Sequence, residues 1–200
     1  MSLPAATDAP HWVQALTVTT AEQTHALGAA LAEVLRAGDL LVLTGELGAG
    51  KTTFTQGLGE GLGVREGIIS PTFVLVRIHP NLPDGPRPGG PDLVHVDAYR
   101  LESAAEIDDI DLENTMDSTV TVVEWGRGRV EHLSDSVLDV ELHRPLGGPL
   151  TGAPAADASD PGVVMDFDTD DDEPRTIVIR GFGPRWVGQP PLPAALKGNS

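Results

Sequence analysis

The sequence predicts an α/β fold of three layers, a mostly parallel sheet between helices, with antiparallel strands near the C-terminus. Three observations lead there. Short apolar runs alternate with segments of helical spacing, the pattern of strand–helix units around a parallel sheet. The run "LLVLTG" (40–45) is apolar almost throughout, as a strand covered on both faces must be. Glycines then crowd the junction between that run and the next helical segment, where the chain turns from strand into helix.

Each element follows in order. "TAEQTHALGAALAEVLR" (20–36) carries apolar residues at Leu27, Ala30, Leu31, Val34 and Leu35, a helical spacing. Thr20 and Gln23 form a capping box at its start, and "AGD" closes it. Residues 1–18 are expected to be a flexible N-terminus. A second helix runs from Lys51 to Leu62 and stops at Gly63. "IISPTFVLVRIH" reads as a loop entering an alternating strand, and the prolines and glycines of 80–91 as a loop or hairpin excursion. "DLVHVDAYRL" is an apolar strand with an aspartate at its end, and "SAAEIDDIDLENTM" a short acidic helix with its connection. "STVTVVEWG" is a β-branched strand closing on Glu124 and Trp125; "SVLDVELHR" and "RTIVIRGFG" are two more. Between those two, 145–174 is poor in large apolar residues and rich in Gly, Pro and Asp, the composition of a disordered acidic insertion. A single domain over 19–186 with a flexible tail at 187–200 is the expected organisation.

Composition narrows the function. There is no cysteine, which excludes disulfides, thiolate catalysis and cysteine–metal sites. No apolar run approaches the ~20 residues that cross a bilayer, and the first residues lack a basic start before an apolar stretch. A cytoplasmic protein without membrane association is expected. The formal net charge of −17 repels a phosphate backbone at long range, so any route to RNA runs through a partner. Lysine occurs only at Lys51 and Lys197 in a chain that otherwise uses arginine. One of the two thus stands inside the glycine loop, as fits a site for a compact ammonium.

"GELGAGKT" (45–52) matches G-x-x-x-x-G-K-[ST] between a strand and a helix, the context that the motif requires. Gly45, Gly48 and Gly50 let successive backbone N–H groups point at phosphate oxygens, and the helix adds its N-terminal dipole. Lys51 is expected to reach the β- and γ-phosphates and the Thr52 hydroxyl to ligate Mg²⁺. The predicted architecture is therefore P-loop NTPase-like. Metal and attacking water need carboxylates at strand ends, and Asp97 and Glu124 each follow an apolar run. Spacing alone leaves open which of them binds metal and which orients water. Asp108, Asp109, Asp111 and Glu113 read instead as the exposed face of a short helix, and "DTDDDE" as solvated acid. Ser70 and Thr72 in "SPTF" stand where such proteins place a γ-phosphate sensor, or else form a plain turn. Trp125 is a core tryptophan by default, or an aromatic against the nucleotide. His95 reads as a satisfied core residue.

"GELGAGKTTFTQGL", "SPTF", "HVDAYRL" and "VVEWG", in that order, resemble the bacterial TsaE (YjeE) family, from about Thr20 to Glu131 and again at "RTIVIRGFGPRW". The resemblance implies a small ATPase required for threonylcarbamoyladenosine formation in tRNA. It places nucleotide contacts at Gly45, Leu47, Gly48, Ala49, Gly50, Lys51, Thr52 and Thr53, with Trp125 close by and Thr20 and Ala21 near the adenine. It implies Mg²⁺ ligation by Thr52 and Glu124, a role in hydrolysis for Asp97, and a switch-like loop at Ser70 and Thr72. ATP and Mg are the implied cofactors, and TsaD and TsaB the implied partners. The TsaD–TsaB complex transfers the threonylcarbamoyl group and is reset by ATP hydrolysis, with tRNA met only through those partners. The 80–91 loop and the 145–174 segment depart from the family's pattern.

Three activities are compatible with these residues. The first is an accessory ATPase using Lys51, Thr52, Asp97 and Glu124. A small-molecule kinase would need an arginine-bearing lid, for which "WGRGRVEH", with Arg127 and Arg129, is the candidate. A nucleotide-gated binding module would bind ATP with negligible turnover.

Overall fold

A computed structural model describes residues 9–101, 106–107, 110–144, 174–188, 190 and 192. Its strands are β1 (Trp12–Val18), β2 (Leu40–Gly45), β3 (Val76–His79), β4 (Asp92–Asp97), β5 (Thr119–Glu124), β6 (Val137–His143) and β7 (Arg175–Phe182). The helices are α1 (Ala21–Ala32), α2 (Lys51–Leu62) and a single turn, α3 (Glu113–Met116). The seven strands form one sheet in the order β1-β7-β6-β2-β5-β4-β3. Strands β6, β2, β5 and β4 are mutually parallel. The predicted antiparallel C-terminal strand is β7, between β6 and β1; β3 adds an antiparallel edge at the other side.

Two apolar layers sandwich the parallel strands. On one face Leu27 and Leu31 of α1 and Phe54, Leu58 and Leu62 of α2 pack with Leu41, Leu43, Val120, Val122 and Val140. On the other, Val42, Val96 and Val123 meet Ile107, Leu112 and Met116. The two helices approach closely because α2 carries glycine where a side chain has no room. A Cβ at Gly57 would lie 1.9 Å from the His25 carbonyl oxygen, and one at Gly28 would lie 2.2 Å from that of Phe54. Glycine lowers helix propensity by about 1 kcal/mol relative to alanine, so its retention in α2 reflects packing.

The α1 start follows the predicted box with one change. The Gln23 amide donates to the Thr20 hydroxyl, while the Gln23 side-chain oxygen accepts from the amide of Thr19, one residue before the cap. The helix ends at Ala32, short of the predicted Arg36. The 80–91 segment is the connection of the β3–β4 hairpin, and it is anchored at both helix ends. Arg87 donates to the carbonyls of Ala32 and Leu35, and Asn81 to those of Leu62 and Gly63. These bonds satisfy carbonyls that a helix end leaves orphaned, and the guanidinium suits the negative end of the α1 dipole.

The N-terminus corrects the sequence reading. Trp12–Val18, expected to be flexible, form the edge strand β1. Trp12, Leu16 and Val18 alternate into the core, and the Trp12 indole donates to the Trp186 carbonyl at 2.8 Å. The two indoles meet edge to face, with centroids 6.4 Å apart. Within the expected tail, Leu192 is buried and its carbonyl accepts from Gln14. The acidic segment 145–173 and most of the remaining tail lie outside the described residues. Among the described residues, no helix is long and apolar enough to cross a membrane.

Candidate nucleotide site

The glycine loop joins β2 to α2 at the C-terminal end of the parallel strands, where α/β sheets place their ligands. Gly48 and Gly50 adopt φ of 77° and 98°, the left-handed region that a side chain disfavours. Gly50 is the N-cap of α2 and supplies no side-chain cap, so the first-turn N–H groups of α2 are left to another acceptor. That is the arrangement from which helix N-termini bind anions.

Lys51 is 6% exposed and folds back over the loop. Its ammonium donates to the Gly45 and Glu46 carbonyls at 2.9 and 3.1 Å and lies 4.5 Å from the Trp125 ring centre. Burial pushes the ammonium below its ordinary pKa, and the Glu124 and Asp97 carboxylates pull it back up. Both predicted carboxylates therefore act on the predicted lysine.

Asp97 and Glu124 are register partners at the ends of β4 and β5, and Glu124 is also level with Leu43 on β2. Each is 3% exposed. Asp97 has both oxygens engaged: Oδ2 accepts from the Thr72 hydroxyl at 2.6 Å and Oδ1 from the Tyr99 amide at 2.9 Å. The Ser70 and Thr72 hydroxyls are 2.7 Å apart. The predicted switch segment and the predicted strand-end aspartate thus form one hydrogen-bonded unit. Glu124 Oε1 lies 2.8 Å from His95 Nε2, in a pair buried on both sides.

Trp125 is half-buried, not the core residue of the default expectation. Its φ of 61° is uncommon for a bulky residue and stores on the order of 1–3 kcal/mol of strain. Its amide donates to the Leu43 carbonyl, and its ring meets Tyr99 edge-on at 5.5 Å. This geometry turns the indole over Lys51. A cavity of about 280 Å³ opens beside it, lined by Thr44, Gly45, Glu46, Glu141, His143 and Arg144 among others. Another cavity, about 490 Å³, lies at the far end of α2 near Glu60, Arg65 and Leu82 and holds none of the predicted residues.

The remaining candidates fall elsewhere. Asp111, just before α3, and Glu113, its first residue, are exposed, and Asp111 accepts from Asn114; Asp108, Asp109 and "DTDDDE" lie outside the described residues. Arg127 donates to Asp139 at 2.8 and 2.9 Å and to Glu141 at 3.1 Å, and Arg180 bonds the same two carboxylates. Arg129 donates to the Ala98 and Leu101 carbonyls. Sequence reasoning read His95 as a satisfied core residue and overlooked two further neighbours of the site, Arg144 and Arg175. His95 stands two residues before Asp97, a period-two signal that puts both on one face of β4. Arg144 and Arg175 stand at the loop, with guanidinium atoms 3.4 and 3.8 Å from where side chains on Gly48 and Gly50 would begin. No spacing announces either arginine, because β6 and β7 bring them there through the sheet.

Among the described residues, no group of three or more His, Cys, Asp or Glu is placed to hold a metal ion. The donors near the loop are instead a threonine hydroxyl and one or two carboxylates. That set suits Mg²⁺, which keeps waters and takes its other ligands from bound phosphates.

A glycine loop entering an uncapped helix, with lysine and two strand-end carboxylates around it on a mainly parallel sheet, defines a P-loop NTPase-like protein. Comparison with known proteins narrows the class. The family model "Threonylcarbamoyl adenosine biosynthesis protein TsaE" matches residues 18–146, and the chain belongs to that family. The chain is 48% identical to the TsaE protein of Streptomyces coelicolor over 162 residues, which cover 80% of this chain and 92% of that one. With the TsaE protein of Bacillus subtilis it shares 38% identity over 124 residues, 62% of this chain and 73% of the other. The crystal structure of Bacillus subtilis YdiB superposes with a TM-score of 0.58 at 26% identity, covering 88% of this chain and 89% of that one.

Proposed function

We propose that the chain binds Mg·ATP and hydrolyses it as an accessory subunit of tRNA threonylcarbamoyladenosine formation, resetting a TsaD–TsaB transferase between turnovers. One observation carries the reading. Lys51, Asp97 and Glu124 converge at the mouth of the glycine loop, and Asp97 is hydrogen-bonded to the Ser70–Thr72 segment.

Each residue has a part. The backbone from Gly45 to Gly50, with Leu47 and Ala49 between the glycines, wraps the phosphates, and the Thr52 and Thr53 amides donate from the first turn of α2. Lys51 exchanges its two carbonyl bonds for phosphate oxygens, and its charge opposes the one that develops on the leaving group. Thr52 and Glu124 hold Mg²⁺, which neutralises charge on the phosphates when bound. Asp97 holds or orients the attacking water, and its bond to Thr72 ties that task to the switch segment. Trp125 closes the side of the site and keeps Lys51 against the loop.

The site argues against the kinase alternative, because Arg127 and Arg129 are held by Asp139, Glu141 and main-chain carbonyls. A net charge of −17 agrees with a subunit that reaches tRNA through its partners. The test is phosphate release from Mg·ATP by the chain alone and with TsaD and TsaB added. Slow release alone, rising several-fold with the partners and absent in Lys51→Ala, is the expected result. Release indifferent to the partners contradicts the accessory role.

A further inference from the structure

Four carboxylate oxygens belong to Asp97 and Glu124, and three of them are taken. Thr72 and the Tyr99 amide occupy both on Asp97. His95 occupies Oε1 of Glu124 at 2.8 Å, with the imidazole fully buried and the carboxylate side chain 4% exposed. Among the described residues, no hydrogen bond reaches Glu124 Oε2.

The histidine is committed to this one contact. A carboxylate only accepts, so His95 Nε2 is the donor. Its Nδ1 is buried and, among the described residues, has no hydrogen-bond partner. Among the described residues the ring is thus tied to its surroundings through a single polar atom, and that atom holds Glu124. Burying an imidazole with half its bonding capacity unused is unfavourable for a residue that merely fills the core; an aliphatic side chain would do that better. Strand geometry explains the reach. His95 and Asp97 are two apart on β4 and share the α2 face, and Glu124 is the register partner of Asp97 on β5.

Resting on the Mg·ATP reading above, we propose that His95 is a positioning residue for Glu124. It fixes Oε1 and leaves Oε2 as the oxygen available to the metal. Glutamate has three rotatable side-chain bonds, and Lys51 lies close enough to act on its charge. Without the histidine, the carboxylate is free to turn toward the ammonium and leave the metal short of a ligand. Residues that hold a metal ligand in this way affect metal affinity about 10- to 100-fold.

The experiment titrates Mg²⁺ into the full chain with a fluorescent, non-hydrolysable ATP analogue, beside the same binding measured in EDTA. His95→Phe keeps the ring volume and removes the donor. His95→Gln keeps an amide N–H near the Nε2 position, and His95→Asn holds one too short to reach. Thermal melting checks the fold of each. In EDTA all that fold should bind the analogue within about twofold of wild type. The magnesium needed for half-saturation should rise about tenfold in the Phe and Asn variants, and Gln should recover most of the loss. If the Phe variant does not fold, the Gln–Asn comparison decides alone. Wild-type magnesium dependence in the donor-less variants overturns the assignment, and so does an equal loss of affinity with and without magnesium. A wild-type chain that binds the analogue with no response to magnesium overturns the Mg·ATP reading itself, a result distinct from either.

Discussion

Thr72 is the residue on which the site's coupling turns. Its hydroxyl donates to Asp97 and lies against that of Ser70, so a segment bordered by exposed Ile69 and Phe73 is joined to a buried carboxylate. Thr72→Val keeps the shape and removes the bond. Steady-state phosphate release should fall roughly 10- to 100-fold while ATP affinity stays within about twofold, because on the proposed mechanism the substitution misplaces a group that acts in the chemical step. A fall in affinity of the same size would instead make Thr72 a binding residue. Glu141 shows a second residue-scale effect, one on stability. Hydrogen bonds from Arg127, opposed in part by burial and reinforced by Arg180, hold its carboxyl at about 2 against an ordinary 4.5. A depressed carboxyl contributes stability that is complete above the unfolded value and lost as pH falls toward the folded one. The melting temperature should therefore drop between about pH 4.5 and pH 2, and Glu141→Gln should flatten that part of the curve. An unchanged acid limb would contradict the pairing.

At the scale of elements, the α1–α2 contact sets how the glycine loop sits on the sheet. Propensity alone predicts that Gly57→Ala stabilises α2 by about 1 kcal/mol. The His25 carbonyl predicts the reverse, since the new methyl group would stand 1.9 Å from it. Overpacking of this kind typically costs about 1–3 kcal/mol, so urea unfolding should show a lower midpoint. A higher midpoint would mean that the helices are free to move apart. The elements also show why some of the fold was legible and some was not. β2, β4 and β5 are apolar runs ending in chemistry-bearing residues, and their order around a glycine loop reads directly from the chain. β1 was missed because "WVQALTV" has polar residues on both faces; it is a strand because β7 offers an edge and Trp186 offers a partner to Trp12. That pairing spans 174 residues, beyond the reach of any local pattern. His95 was legible as a strand residue but not as a partner of Glu124, because the contact depends on the register of β4 against β5.

Taken whole, the molecule puts its candidate site at the C-terminal end of a mainly parallel sheet in a strongly acidic chain. Lys51 is one of two lysines in a chain of net charge −17, so on the proposed function a nucleotide phosphate is drawn by local geometry and not by the field of the whole protein. On the same proposal the field disfavours direct attraction of tRNA and leaves recognition of RNA to the partner subunits. The proposal of an ATP-driven device rests on family membership and on the convergence of Lys51, Asp97, Glu124 and the Ser70–Thr72 segment. What separates such a device from a module that merely binds ATP is whether Glu124 matters after binding. The decisive measurement is a single-turnover experiment on Glu124→Ala, with ATP and magnesium prebound and TsaD and TsaB present, following both bound nucleotide and released phosphate. The expected result is that ATP remains bound at near wild-type occupancy while phosphate release slows by about 100-fold or more. Release at the wild-type rate, with ATP equally bound, would contradict it.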